Sequence, residues 1–106
     1  MRILFDQGTP VPLRNYLANH LVETAFELGW STLKNGDLLA AAEHAFDLLI
    51  TTDQQLPYQQ ILAGKKLSIL VLMTTSWPRL EKTVTQIKEA IEQARPGEIV
   101  EFTPPL

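Results

Sequence analysis

Three short apolar runs, Ile3-Leu4-Phe5, Leu48-Leu49-Ile50 and Leu67 to Met73, pass directly into turn residues and are separated by stretches of helical character. Runs of this length without polar alternation read as strands buried on both faces. A strand buried on both faces needs a covering layer above and below it. Helical segments between such strands supply that cover through parallel βαβ crossovers. The expected class is therefore α/β, with helices on both faces of one mostly parallel central sheet.

The chain can be read along these lines in more detail. Arg2 to Phe5 forms the first strand and leaves through Asp6-Gln7-Gly8-Thr9-Pro10. Thr9 is placed to cap the next helix, with Pro10 at its first position. Leu13, Tyr16, Leu17 and His20 then fall on one helical face. Leu21 to Ala25 is a short second strand, closed by Glu27-Leu28-Gly29-Trp30. A helix starts at Asn35-Gly36-Asp37 and runs to about Ala45. Phe46 to Thr52 is the third strand, ending at Asp53. Pro57 opens a short helix that ends at Gly64. Leu67 to Met73 is the fourth strand, nearly all apolar and expected at the centre of the sheet. Ser76-Trp77-Pro78 opens one continuous helix through Ala94, and Glu98 to Phe102 is an alternating edge strand.

Size and composition narrow the class. The 106 residues suit one domain spanning 1–106, since a second core would lack apolar side chains. Cysteine is absent, which removes disulfides and thiolate metal sites and makes the cytoplasm the default setting. No apolar run is long enough to span a bilayer, and the N-terminal residues lack the pattern of a signal peptide. The net charge of −3 argues against a broad basic surface for gripping nucleic acid. An acidic metal pocket is compatible with that charge, because bound divalent cations reverse the local sign.

Ligands in parallel sheets collect at the carboxyl ends of the strands. Asp6 and Asp53 stand at two such ends. Asp37 begins the helix that leads into the third strand, and a crossover helix starts on the same side as the strand exits. The three carboxylates are thus expected on one rim. Like charges gathered there repel unless a cation neutralises them. Oxygen-only ligands favour Mg²⁺ or Mn²⁺, which promote phosphodiester hydrolysis in many nucleases. The plainer reading of each Asp is a turn former or helix cap, and Asp37 after Asn35-Gly36 suits that role best.

Three segments carry a resemblance. Ile3-Leu4-Phe5-Asp6-Gln7-Gly8-Thr9-Pro10 resembles the opening of small PIN-like proteins related to toxin–antitoxin toxins, an apolar strand followed by Asp-Glu-Asn-x-Pro. Asn35 to Ala42 is similar to that family's Asp-x-Glu-[Ile/Leu] helix start. Leu48 to Asp53 is similar to its Val-Leu-[Val/Ile]-Thr-x-Asp strand. The three occur in order over about the first seventy residues. The resemblance implies a three-layer α/β/α PIN-like domain and a magnesium or manganese ion held by Asp6, Asp37 and Asp53. It implies metal-dependent endoribonuclease activity, a hydrolase acting on RNA, with the same three aspartates as catalytic residues. It also admits a toxin role with an antitoxin protein as partner, and a homodimer. Gln7 stands in place of the family's Glu, Gly8 in place of its Asn, and Gln55 where a further Asp is common. Those departures keep a catalytically silent PIN-like protein-binding module as the alternative.

Other residues invite plainer roles. Gln54, Gln55, Tyr58, Gln59 and Gln60 form the polar face of a short helix or a set of RNA contacts with Tyr58 stacking. Arg14 and Asn15 read as a solvated helix face. His20 and His44 have no partner at metal or triad spacing. A phosphoacceptor receiver-like domain also uses strand-end aspartates, but it needs paired acids after the first strand and a lysine after the last, and this chain has neither.

Overall fold

The computed structural model describes residues 1–33, 35–56 and 65–105. Its centre is a five-stranded, wholly parallel sheet in the order β2-β1-β3-β4-β5. The strands are β1 (Arg2–Phe5), β2 (Leu21–Thr24), β3 (Leu48–Thr51), β4 (Ser68–Leu72) and β5 (Ile99–Phe102). Between β1 and β2 lies a 3₁₀ helix, Val11–Tyr16; α1 (Asn35–Ala45) precedes β3, and α2 (Trp77–Glu81) and α3 (Val84–Gln93) precede β5. Among the described residues, no helix is long and apolar enough to cross a membrane.

Residue alternation along the strands sorts the core into two clusters. Ile3 and Phe5 of β1, Leu48 and Ile50 of β3, and Leu70 and Leu72 of β4 pack with Leu13, Leu80, Ile87 and Ile91. Leu4, Leu49, Ile69 and Val71 pack instead with Leu38, Leu39, Ala42 and Phe46. One face of the sheet therefore meets α1, and the other meets the 3₁₀ helix, α2 and α3. The register agrees, with Ile3 beside Leu48, Leu4 beside Leu49 and Phe5 beside Ile50. Every one of these strand residues is buried, which explains why the runs show no polar alternation.

The helices follow from spacing. α1 buries Leu38, Leu39 and Ala42 at helical intervals, and its Leu and Ala content favours helix throughout. α3 buries Val84, Ile87 and Ile91 in the same way. The expected single helix from Ser76 to Ala94 is broken at Lys82-Thr83. Thr83 explains the break, since its hydroxyl donates back to the carbonyls of Arg79 and Leu80 at 3.3 and 3.1 Å and competes with the helix ladder. Ser76 caps α2 as expected, accepting from the Arg79 N–H.

Two more expectations shift. Pro10, not Thr9, occupies the N-cap of the first helical segment, and the segment is 3₁₀. Thr9 is drawn off because its hydroxyl donates to the Ile50 carbonyl at 2.9 Å. β4 is interior, flanked by β3 and β5, while β3 holds the middle of the sheet. The helix expected from Pro57 to Gly64, with Tyr58, Gln59 and Gln60, lies outside the described residues.

Candidate functional site

The strand order reverses between β1 and β3. From β1 the chain moves outward to β2 on one side, and the later strands β3, β4 and β5 build on the other. In doubly wound sheets this switch point opens a crevice at the carboxyl ends of the strands. Asp6 follows β1 and Thr51 ends β3, so both stand at that crevice.

The local chain geometry holds them together. The Asp6 N–H donates to the Ile50 carbonyl at 2.9 Å, extending the β1–β3 ladder one step beyond the strand. The Thr51 hydroxyl, fully buried, donates to Asp6 Oδ2 at 2.8 Å and accepts from the Asp53 N–H at 3.0 Å. Asp6 Oδ1 accepts from the Gln7 N–H at 2.7 Å. Asp53 Oδ1 accepts from the Gln55 N–H at 2.9 Å, an Asx turn that sets the exit from β3. One hydroxyl therefore links the side chain of the first aspartate to the backbone of the second.

Burial is the main influence on Asp6 and pushes its carboxyl above the ordinary carboxylate value. The hydrogen bonds from Thr51 and the Gln7 N–H pull it back, and the negative charge of Asp53 pushes it up again. Asp6 is thus a partly buried carboxylate with a second, exposed acid beside it, and a cation at Asp6 would offset the cost of its burial.

Gly8 makes the close approach of the two loops possible. The Thr9 N–H donates to the Asp6 carbonyl at 3.1 Å, closing a turn with Gly8 at its third position. Gly8 has φ +96°, as a type II turn requires there. A Cβ on it would lie 3.1 Å from Thr52 Oγ1. Gly8→Ala should therefore destabilise the fold by about 1–2 kcal/mol, the cost of a left-handed L-residue, seen as a lower urea midpoint with unchanged slope.

The three aspartates of the sequence reading fare differently. Asp6 and Asp53 come together across the switch point. Asp37 is exposed in the first turn of α1. Among the described residues, no group of three or more His, Cys, Asp or Glu side chains is placed to hold a metal ion, so Asp37 is not joined to the pair in such a group. Gln7 and Gln55 are exposed beside the pair.

Several residues escaped the sequence reading. Thr51 lies in β3 as the pattern predicts, and its hydroxyl is also the contact that orients Asp6. Arg14 does not lie free on a helix face: it forms a forked ion pair with Glu27, Nη1 to Oε2 at 3.1 Å and Nη2 to Oε1. Glu27 in turn accepts from the Thr24 N–H at 2.9 Å, and its own N–H donates to Thr24 Oγ1 at 3.0 Å. That reciprocal pattern is a capping box, and its Thr-x-x-Glu spacing is legible at Thr24-Ala25-Phe26-Glu27. Between them, the β1 and β2 exits border a cavity of about 400 Å³ whose walls include Asp6, Gln7, Arg14 and Phe26.

Together these features define a doubly wound parallel α/β domain with an acidic pair at its switch point. No protein-family profile, characterised protein or solved structure matches the chain.

Proposed function

We propose that this chain is a Mg²⁺- or Mn²⁺-dependent ribonuclease of the PIN-like kind, with a three-layer α/β/α domain and its ion at the β1/β3 switch point. The observation that carries this reading is the Asp6–Thr51–Asp53 arrangement, in which one buried hydroxyl orients the Asp6 carboxylate and ties it to the backbone of Asp53. The donor set suits such an ion, because Mg²⁺ is commonly bound by one or two carboxylates with its other positions left to water and phosphate. Asp6 and Asp53 would hold it, and Asp37, exposed at the start of α1, stands outside that pair. An ion there supplies polarisation of a phosphoryl oxygen and a more acidic water.

The protein's own part is orientation. Asp6 is fixed through both carboxylate oxygens, by Thr51 and by the Gln7 N–H. Gly8 supports the reading despite departing from the family's Asn, since both residues tolerate positive φ and the turn is kept. An antitoxin protein or a second copy of the chain is the partner this reading admits, in the cytoplasm.

The test uses mixed RNA with Mn²⁺ and the natural protein beside Asp6→Asn and Asp53→Asn. Metal-dependent cutting by the natural protein alone supports the reading. Equal cutting by all three defeats it, and no cutting defeats it and favours the silent protein-binding module, to which exposed Gln7 and Gln55 would belong. A second consequence concerns Thr51. Thr51→Val keeps the shape and removes the hydroxyl, so Mn²⁺ affinity should fall about 10- to 100-fold, as for other residues that orient metal ligands. Calorimetric titration measures this directly.

A further inference from the structure

Phe26 is the most exposed large apolar side chain among the described residues, at 77%. Single exposed apolar residues are ordinary and need no explanation. Phe26 differs in how it is held and in what it stands beside. The turn that carries it is braced on both sides by the Thr24–Glu27 capping box and by the Arg14–Glu27 fork. The Trp30 N–H and the Phe5 carbonyl both bond to Ala25, fixing the residue before it. The backbone that presents Phe26 is thus held in place, with the side chain exposed.

Phe26 and Asp6 both line the cavity of about 400 Å³. That volume falls within the roughly 300–1,000 Å³ of small-ligand sites. Phe5, Val11 and Ala25 give the cavity an apolar lining, and Val11 is itself exposed. An apolar lining that also includes Asp6 and Arg14 suits a planar, uncharged ring whose attached phosphate lies toward the ion that the nuclease reading puts at the acids. Aromatic side chains serve single-stranded nucleic acids in this way, stacking on bases of any sequence.

We infer that Phe26 is a stacking platform for one base of a single-stranded RNA, seated in the cavity beside Asp6. This rests on the nuclease reading for its substrate class and adds the place where a nucleotide next to the cut is held. Phe26 acts in binding, so its loss should raise KM and leave kcat near its original value. The Arg14–Glu27 fork is a positioning contact that keeps the platform in place.

The experiment measures anisotropy of a labelled six-nucleotide oligoadenylate with hydrolysis-resistant phosphorothioate linkages, in Mn²⁺, and compares it with the same oligomer lacking bases. Phe26→Ala should weaken binding of the base-bearing oligomer by about 5- to 150-fold, the cost of losing one base stack. Phe26→Tyr should restore it, and the base-free oligomer should bind the natural and Phe26→Ala proteins alike. Equal affinity of natural and Phe26→Ala proteins for the base-bearing oligomer overturns the inference. So does a natural protein that binds neither oligomer or fails to prefer bases. RNA bound with this Phe26 dependence but never cut overturns the nuclease reading and supports the platform. RNA cut by Phe26→Ala with unchanged KM does the reverse.

Discussion

Asp6→Asn should reduce the proposed metal-dependent RNA cleavage by at least about 100-fold, since even residues that only orient metal ligands commonly cost about 10- to 100-fold. The substitution isolates charge. Asparagine keeps an oxygen to accept from the Gln7 N–H and gains an amide that can donate to Thr51 Oγ1, so the β1–β3 link survives. What disappears is the negative charge beside Asp53. The metal-free protein offers a second readout. Burial raises the Asp6 carboxyl above its ordinary value, so the fold is favoured by its protonated form. That contribution is fully present below the unfolded-state value and is lost as pH rises through the folded-state value. Without metal, the natural protein should therefore lose stability across that window, and Asp6→Asn should not share the loss. Denaturant unfolding at a series of pH values checks it.

Phe5→Ala should have the largest effect on folding. Phe5 is wholly buried, packs with Leu13, Leu48 and Ile50, and offers its carbonyl to the Ala25 N–H at 2.9 Å. Removing a buried Phe side chain costs about 3–5 kcal/mol in transfer and cavity terms. A domain of this size holds only about 5–15 kcal/mol in total. At roughly 4–8 °C per kcal/mol, Tm should fall by about 12–40 °C. Val11→Ala is the matched control, because Val11 is exposed and its loss should stay within about 0.5 kcal/mol. Calorimetry on the two variants separates these outcomes. A small shift for Phe5→Ala would mean that the β1 face of the sheet is not packed as described.

Both effects trace to features of unequal legibility. β1, β3 and β4 are written plainly in the sequence because strands covered on both faces carry unbroken apolar runs, Ile3 to Phe5, Leu48 to Ile50 and Ile69 to Leu72. α1 is legible from its Asn35-Gly36-Asp37 start and its Leu and Ala content. Strand order is not written locally: the outward placement of β2 and the reversal to β3 come from which faces pack together. Competing hydrogen bonds account for the local misses. Thr9 and Thr83 both look like residues serving helices, and each spends its hydroxyl on a backbone carbonyl elsewhere.

The site was legible in part for a related reason. A residue that ends a parallel strand lands at the rim whatever its side chain does, which brought out Asp6 and Asp53. Asp37 begins a helix, and the start of a helix fixes the height of a residue above the sheet but not the direction of its side chain. It is exposed and lies outside any ligating group of three among the described residues. Thr51 could not be found from pattern, because a buried threonine in a strand looks like any other β-branched residue. The Thr24–Glu27 box was findable by spacing, and it leads to Phe26.

Calorimetric titration of Mn²⁺ into the natural protein and into Asp6→Asn tests the switch-point site most directly. The account predicts one saturable site in the natural protein that Asp6→Asn removes. No saturable binding to the natural protein, or equal binding to both, would contradict it.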